Sequence, residues 1–311
     1  MLASAAQAGS PALWAGVHPG RYAVGYLHLE SGGPADVWYP ARTAGIPFTF
    51  AHYLGERTAE TRSFLIERGL SDDSVRKLLD ARMFATREAA PVRLPFPMVP
   101  VAQGNGQDAA DQAVLAEFIA SHGYVVVSVP SPMIRRQMTD QSQIASFAEQ
   151  QADALSAAML RIGHIFMIRS DRVGVIGHSF GARAALLLAM RHRSIGALIS
   201  LDGGIGTANG TGELQAAPSY RGKAELPATL HIYETLDSFM KPDFAFLKSL
   251  RIRRLRLQPT DGMHHVHFTT YGFAAATLPE FAKVTNAGPK IKTSVPGLAR
   301  SVIQFLNAEL K

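Results

Sequence analysis

A short stretch in the middle of the chain, Gly177-His178-Ser179-Phe180-Gly181, places a serine between two glycines. Apolar residues 173–176 precede it and an alanine- and leucine-rich run follows, which predicts a strand entering the turn and a helix leaving it. In that context the serine lies on a tight, strained turn and its hydroxyl is exposed for nucleophilic attack. The alternative is an ordinary strand-to-helix turn with Ser179 as the helix cap. The flanking elements favour the nucleophile.

A nucleophilic serine needs a basic histidine and a carboxylate that orients the histidine. On a strand–turn–helix of this kind, the chain order is serine, acid, histidine. Asp202 directly follows a predicted strand, 195–201, and is one candidate for the acid. Its rival is Asp237, one strand later, which is the commoner position for the acid in such an arrangement, whereas Glu234 and Asp243 are weaker candidates. The alternative for Asp202 is a turn or helix-cap aspartate.

Three histidines follow the last predicted strand, which is where the base is expected. The segment 261–268 contains His264, His265 and His267. A metal site is the alternative, but no acidic partner at helical spacing accompanies the three histidines, so we predict no metal. One histidine is therefore expected to be the base and the others to pack or form hydrogen bonds. The side chain of His178 should point away from that of its neighbour, Ser179, and is expected to pack.

The negative oxygen of a tetrahedral intermediate needs two backbone N–H donors. The first is Phe180, which follows the serine at the start of the predicted helix. The second is expected in the glycine-containing loop 103–107, where glycines allow close approach of the backbone to a substrate. We assign it to Asn105, with Gly104 or Gly106 as neighbours in register. The alternative is a simple glycine turn.

These residues need a sheet that brings strand ends together. Predicted strands cover 22–29, 35–39, 97–102, 124–129, 173–176, 195–201, 228–233 and 252–257, and predicted helices cover 108–121, 141–165, 181–192 and 295–310. Alternation at this spacing predicts an α/β fold with a mostly parallel central sheet and helices on both faces. The charged segment 47–92, with predicted helices at 58–68 and 71–86, is interpreted as a helical cap insertion. One domain, 20–311, would follow an N-terminal tail, 1–19.

Composition excludes several classes of protein. The 311 residues are 47% hydrophobic and 18% charged, as in globular proteins, and the net charge is +6. No dense basic stripe with interleaved aromatics is present, so nucleic-acid binding is not expected. There is no cysteine for a disulfide or thiolate, and neither glycine-rich stretch has dinucleotide-binding spacing. We expect no cofactor and no transmembrane segment.

The N-terminus contains Ala6-Gln7-Ala8, which is similar to a signal-peptidase cleavage site. It lacks a basic region ahead of it, and the apolar run is short. The interpretations are the remnant of an export signal or a frayed tail. We favour export, to the periplasm or the exterior, over a cytoplasmic location.

Four stretches together resemble one branch of the α/β-hydrolase family. They are GHSFGA at 177–182, LDGG at 201–204, ASHGYVVVSVPSP at 120–132, and GRYAVGYLHLE with DVWYPA within 20–41. The branch contains platelet-activating-factor acetylhydrolase and dienelactone-hydrolase-like bacterial esterases. The resemblance spans nearly the whole chain and is weakest over 47–92. It implies the α/β-hydrolase fold and a serine esterase.

The resemblance also favours one candidate for the acid and one for the base. In the acetylhydrolase the acid lies in a Leu-Asp pair that ends the strand after the serine turn, which favours Asp202 over Asp237. The family histidine is followed by aromatics three and six positions later. His265, with Phe268 and Tyr271, matches this spacing.

Two departures limit what the resemblance implies. Many relatives have His-Gly in the oxyanion loop, where this chain has Gln103-Gly104, so substrate preference does not carry over. Dienelactone hydrolase proper uses a cysteine nucleophile, which is absent here, so that activity is not expected.

The sequence therefore predicts a serine hydrolase that cleaves small-molecule carboxylic esters through an acyl-enzyme, with Ser179, Asp202 and His265 as catalytic triad. The alternatives are an acyltransferase or amidase that uses the same triad, or a binding protein with this fold and no catalysis. The sequence does not determine the oligomeric state.

Overall fold

The computed structural model describes residues 12–132, 140–210, 212–236 and 240–311. Two features discussed above lie outside these ranges, namely the Ala6-Gln7-Ala8 motif and the rival acid Asp237. Asp202 lies within them. Among the described residues, no helix combines the length and apolarity that crossing a bilayer requires.

Ten strands of the described chain form one sheet, and two short strands form a separate pair. The strands are β1 (Ala23–Leu29), β2 (Ala35–Ala41), β3 (Ile46–Thr49), β4 (Arg82–Arg87), β5 (Phe96–Ala102), β6 (Val125–Val129), β7 (Ile168–His178), β8 (Ile195–Leu201), β9 (Glu225–Leu226), β10 (Ala228–Glu234), β11 (Arg251–Ile252) and β12 (Leu255–Thr260). The order across the sheet is β12-β10-β8-β7-β5-β6-β2-β1-β4-β3. From β12 to β6 all neighbours are parallel, whereas β2 is antiparallel to both β6 and β1. The mostly parallel sheet predicted from the sequence is confirmed.

Helices cover both faces of this sheet. They are α1 (Phe50–Leu54), α2 (Thr58–Glu67), α3 (Asp72–Leu79), α4 (Ala109–Ser121), α5 (Gln141–Ile165), α6 (Gly181–Arg191), α7 (Gly212–Gln215), α8 (Ala245–Ser249), α9 (Thr270–Thr277), α10 (Pro279–Val284) and α11 (Ile291–Leu310). Successive side chains of a strand point to opposite faces. In β6, Val126 therefore joins the core formed with α4, α9 and α11, whereas Val125 and Val127 join the core formed with α5 and α6.

The segment predicted as a helical insertion, 47–92, begins and ends in the sheet. β3 pairs antiparallel with β4, which pairs in parallel with β1, and α1 to α3 lie between the two strands. The sequence predicted a helix over 71–86, but α3 ends at Leu79 and β4 follows. Residues 82–87 contain good helix formers, but pairing with two strands outweighs that weak local preference.

A buried carboxylate, Glu117 of α4, connects the insertion to the rest of the fold. Its Oε1 accepts hydrogen bonds from the Tyr53 hydroxyl at 2.9 Å and the Ala85 N–H at 3.0 Å. Its Oε2 accepts from the indole N–H of Trp14 at 3.2 Å and the Phe84 N–H at 3.1 Å. Trp14 ends the 3-10 helix Ala12–Trp14 and is fully buried. We call these five residues the Glu117 cluster. It joins the N-terminal segment, α1 and β4 to one residue of α4.

Candidate active site

Ser179 lies on the turn between β7 and α6, at the carboxyl end of the central strands. Its φ is +53°, in the left-handed region that non-glycine residues adopt rarely and at a cost. A Cβ on Gly181 would overlap the carbonyl oxygen of Ala102, and one on Gly177 would overlap the backbone of Ala182. Glycine at both positions therefore allows the strand and helix to approach closely while the serine hydroxyl projects from the turn.

His265 begins a 3-10 helix, His265–Phe268, in the segment that follows β12. Its Nε2 lies 2.8 Å from the Ser179 Oγ, within hydrogen-bond distance. Its side chain is 18% exposed, so part of the ring is accessible. The structure thus brings the predicted base to the predicted nucleophile, although the two residues are far apart in the chain.

Asp202 follows β8 and contacts the other nitrogen of His265. Its Oδ2 lies 2.5 Å from the His265 Nδ1, and its Oδ1 accepts the Glu234 N–H at 3.2 Å. Asp202 is 2% exposed and has a φ of +43°, so its conformation is also strained. A carboxylate at Nδ1 keeps a proton on that nitrogen and leaves Nε2 able to accept one.

The weaker acid candidates have other contacts. Asp243 precedes α8, where its Oδ1 accepts the Ala245 N–H at 2.9 Å. The Glu234 carboxylate accepts the Leu236 N–H at 2.7 Å within its own loop. Of the described acids, Asp202 is the one at hydrogen-bond distance from His265.

The remaining two histidines of the segment contact each other rather than Ser179. The His267 Nδ1 accepts the backbone N–H of His264 at 2.7 Å, and its Nε2 lies 2.8 Å from the Thr285 hydroxyl. Burial lowers the pKa of His267 to about 4, so the ring is neutral at pH 7. Across the described ranges, no three His, Asp or Glu side chains are grouped so as to hold a metal ion.

The loop between β5 and α4 faces the serine turn, and the Gln107 side chain connects the two. The Gln107 Oε1 accepts the Gly104 N–H at 2.8 Å and lies 2.8 Å from the His178 Nδ1. The Gly106 N–H donates to the Pro132 carbonyl at 3.3 Å. Both predicted neighbours in register therefore have their N–H groups engaged. Asn105 lies between them in the same turn and is exposed.

Phe180, the other predicted oxyanion donor, precedes the first residue of α6 and is 5% exposed. The first N–H groups of a helix have no acceptor within the helix, and the helix dipole makes this end positive. The N-terminal end of α6 lies directly beside Ser179, which suits it to stabilise negative charge on a bound substrate.

His178 packs against the predicted base. The two imidazole rings of His178 and His265 are stacked, with centroids 5.0 Å apart and an angle of 26° between the planes. His178 is 1% exposed, and burial holds its pKa well below the usual value, so it stays neutral. Gln107 Oε1 can only accept, so the Nδ1 of His178 carries the proton between them. His178 thus links the loop before α4 to one face of the His265 ring.

A cavity of about 630 Å³ opens beside His265. One wall comes from α2 and the turn after it, and the other comes from the histidine segment, α9, α10 and the residues after α10. The described residues that line it are Phe64, Leu65, Arg68, Leu70, His264, His265, Val266, Tyr271, Phe281, Val284, Thr285 and Asn286. The insertion therefore forms part of a cavity that reaches the predicted base.

Sequence reasoning missed Gln107 and the stacking of His178 on His265. Gln107 is distant in the chain from His178, and a glutamine in a loop has no distinctive pattern. Nothing in the local sequence indicates which side chain will accept the Gly104 N–H.

Comparison with known proteins gives a fold but no family. No family model matches the chain, and no curated protein matches it. Among solved structures, the chain is similar to a ferulic acid esterase from Streptomyces cinnamoneus, with a TM-score of 0.66 and 19% sequence identity over 94% of this chain and 92% of that one. At this identity the likeness establishes the fold. The predicted α/β-hydrolase fold is confirmed.

Proposed function

We propose that the protein is a serine hydrolase of carboxylic esters with Ser179, His265 and Asp202 as its catalytic triad. The observation that carries the proposal is the continuous contact from the Ser179 Oγ to the His265 Nε2 at 2.8 Å and from the His265 Nδ1 to Asp202 at 2.5 Å. A hydroxyl, an imidazole and a carboxylate in this order of contact support a nucleophile, a base and an orienting acid for acyl transfer.

In this mechanism the Ser179 Oγ attacks the ester carbonyl carbon while the His265 Nε2 takes the hydroxyl proton. The carbonyl oxygen becomes negative and accepts hydrogen bonds from the N–H groups of Phe180 and Asn105. The intermediate then expels the alcohol, which receives the proton from His265. Water, deprotonated by His265, hydrolyses the acyl-enzyme and restores Ser179. Asp202 stabilises the imidazolium in both halves, and no metal or cofactor takes part.

The fold likeness to a ferulic acid esterase supports ester hydrolysis as the reaction class. The acid that this esterase is named for is not transferred to this chain. The narrower resemblance, to platelet-activating-factor acetylhydrolase and dienelactone-hydrolase-like esterases, stays a prediction, as does export of the protein.

A fluorophosphonate probe, which labels activated serines, tests the proposal. Wild-type protein should be labelled and should hydrolyse p-nitrophenyl acetate, and Ser179→Ala should lose both properties. Asp202→Asn should reduce kcat by about 10⁴-fold, because the amide no longer holds the correct imidazole tautomer. Asp237→Asn is the matched control.

The outcomes separate the alternatives. Absence of labelling in wild type would favour a binding protein without catalysis. A large loss of kcat in Asp237→Asn, but not in Asp202→Asn, would identify Asp237 as the acid instead of Asp202. Faster turnover when an alcohol or amine acceptor is added would favour an acyltransferase, and preferred cleavage of amides would favour an amidase.

A further inference from the structure

The cavity beside His265 borders the proposed base but not the nucleophile. Of the described residues that line it, His264, His265 and Val266 belong to the histidine segment, and none belongs to the serine turn 177–181 or the loop 103–107. Among the described residues, Asp202 contacts the His265 Nδ1, Ser179 contacts Nε2 and His178 stacks on one face of the ring. The cavity borders the same histidine.

The chemistry of acylation indicates where the leaving alcohol lies relative to His265. When the tetrahedral intermediate collapses, the bond from the carbonyl carbon to the alcohol oxygen breaks and its electron pair stays on that oxygen. The proton on the His265 Nε2 transfers to the same oxygen, so the products are acyl-Ser179 and a neutral alcohol. The alcohol oxygen must lie within hydrogen-bond distance of Nε2 for this transfer. The rest of the alcohol then extends on the His265 side of Ser179.

We infer that this cavity is the leaving-group site and that it selects esters of bulky, aryl-bearing alcohols. The inference rests on the proposed function and adds the part of the substrate that the cavity holds. A volume of about 630 Å³ suits a drug-sized group and far exceeds a methyl or ethyl group. The acyl group lies elsewhere, towards the loop 103–107.

The lining residues support an apolar, aromatic occupant. Leu65, Leu70, Phe281 and Val284 contribute apolar surface. Phe64 also lines the cavity and is 47% exposed, which is high for a phenylalanine. The Arg68 guanidinium lies 4.8 Å from the centre of the Phe64 ring and covers part of it. An aryl group in the cavity would cover more of Phe64 and gain binding energy from the water it displaces.

Two ester series separate the leaving-group site from the acyl site. The first fixes acetate and varies primary alcohols of similar acidity, from ethanol to 2-phenylethanol and 2-(1-naphthyl)ethanol. The second fixes ethanol and varies the acyl chain from acetyl to hexanoyl. In wild type, kcat/KM should rise at least tenfold from ethyl to naphthylethyl acetate, since the added rings are buried only in this cavity.

Two variants change the cavity without touching the triad. Val284→Phe narrows it and should reduce kcat/KM for naphthylethyl acetate about tenfold, with less than a twofold effect on ethyl acetate. Phe64→Ala removes one wall and should weaken the preference in the same series. The matched control is Ile66→Ala, which changes another exposed apolar residue of α2 that does not line the cavity. Hydrolysis of the acetyl-enzyme should be unchanged in every variant, because the alcohol has already departed.

The inference is overturned if Val284→Phe alters the acyl series and leaves the alcohol series unchanged, or alters neither. Labelling of Ser179 by a fluorophosphonate is measured in the same preparations. Loss of labelling in wild type would contradict the proposed function itself, whereas normal labelling with an unchanged alcohol series contradicts only the leaving-group site.

Discussion

At the scale of single residues, the proposed site stores backbone strain at two of its three members. Ser179 and Asp202 both have φ between +40° and +55°, where most side chains are disfavoured by about 1 kcal/mol. Both residues end a central strand, and the strained turn aims each side chain at His265. The positive φ of Ser179 and Asp202 thus helps to direct their side chains to His265.

This strain makes a prediction about glycine. We expect Ser179→Gly to be at least as stable as Ser179→Ala, because glycine adopts this φ without the steric cost that alanine has. Ser156 of α5 provides the control, since glycine in a helix costs about 1 kcal/mol relative to alanine. Urea unfolding of the four variants measures both differences. Equal penalties for glycine at the two positions would contradict the strain at Ser179.

Gln107 is predicted to be a positioning residue. Gln107→Met has a similar size but accepts no strong hydrogen bond, so it releases the Gly104 N–H and His178 together. We expect kcat to fall about 10- to 100-fold with KM nearly unchanged, because the loop that contains the proposed oxyanion donor loses its alignment.

Two companions of Gln107→Met make that result specific. Gln107→Glu retains the acceptor and should restore most of the rate. Gln150→Met, on the exposed surface of α5, is the control. An unchanged kcat in Gln107→Met would show that Gln107 is not needed to position the loop.

Much of the proposed site was predictable from the sequence, because each proposed triad member lies in the segment that comes after a predicted strand. Chain order restricted the acid and the base to short segments, and the Leu-Asp pair and aromatic spacing favoured Asp202 and His265 within them. The contacts of Gln107 and His178 were not predictable, since they depend on side chains that meet only after the sheet has formed.

At the scale of elements, the Glu117 cluster is predicted to hold the insertion in place. In Glu117→Gln, the amide nitrogen replaces one oxygen and faces two donors in either orientation. We expect a loss of about 2–4 kcal/mol in the free energy of unfolding, because buried donors lose their acceptor. Glu67→Gln at the exposed end of α2 is the control. The fluorescence of the two buried tryptophans, Trp14 and Trp38, follows the transition, and equal stability of the two variants would contradict this role.

Most element types were predictable because their patterns are local. Helix α5 begins and ends at the predicted residues, and the buried strands β6 and β8 are apolar runs between turn signals. Strand β4 was not predictable, because its residues favour a helix and only the pairing with β1 and β3 makes a strand there. The residues of β4 themselves do not indicate which strands will pair with it.

At the scale of the whole molecule, buried neutral histidines make stability depend on pH. Burial lowers the pKa of His231 and His267 to about 4 in the folded protein, against about 6.5 when unfolded. Between these values the unfolded chain binds protons that the folded chain does not, so this part of the stability is present above pH 6.5 and lost as pH falls to 4. Burial raises the pKa of Glu117 to about 7 and of Asp111 to about 6, which acts in the opposite direction.

A variant isolates the contribution of one histidine from these opposing carboxylates. His267→Asn keeps an acceptor for the His264 N–H but has no titrating ring. The difference in free energy of unfolding between wild type and this variant should shrink steadily as pH falls from 7.5 to 4. Urea unfolding at several pH values measures it, and a constant difference would contradict the burial of a neutral His267.

The pairing of β3 with β4 has a consequence for protein engineering. Ile46 lies opposite Arg87 in the sheet, so the two ends of the intervening chain are held side by side. A segment whose ends meet is a cassette: its exposed positions can be exchanged while the flanking strands keep their register and its buried side chains, such as Leu65, Leu70 and Leu78, stay in the core. Residues 55–79 include the wall of the cavity but none of the proposed triad. Libraries confined to this cassette, with Tyr53 retained, would diversify which alcohols are accepted and leave the reaction itself intact.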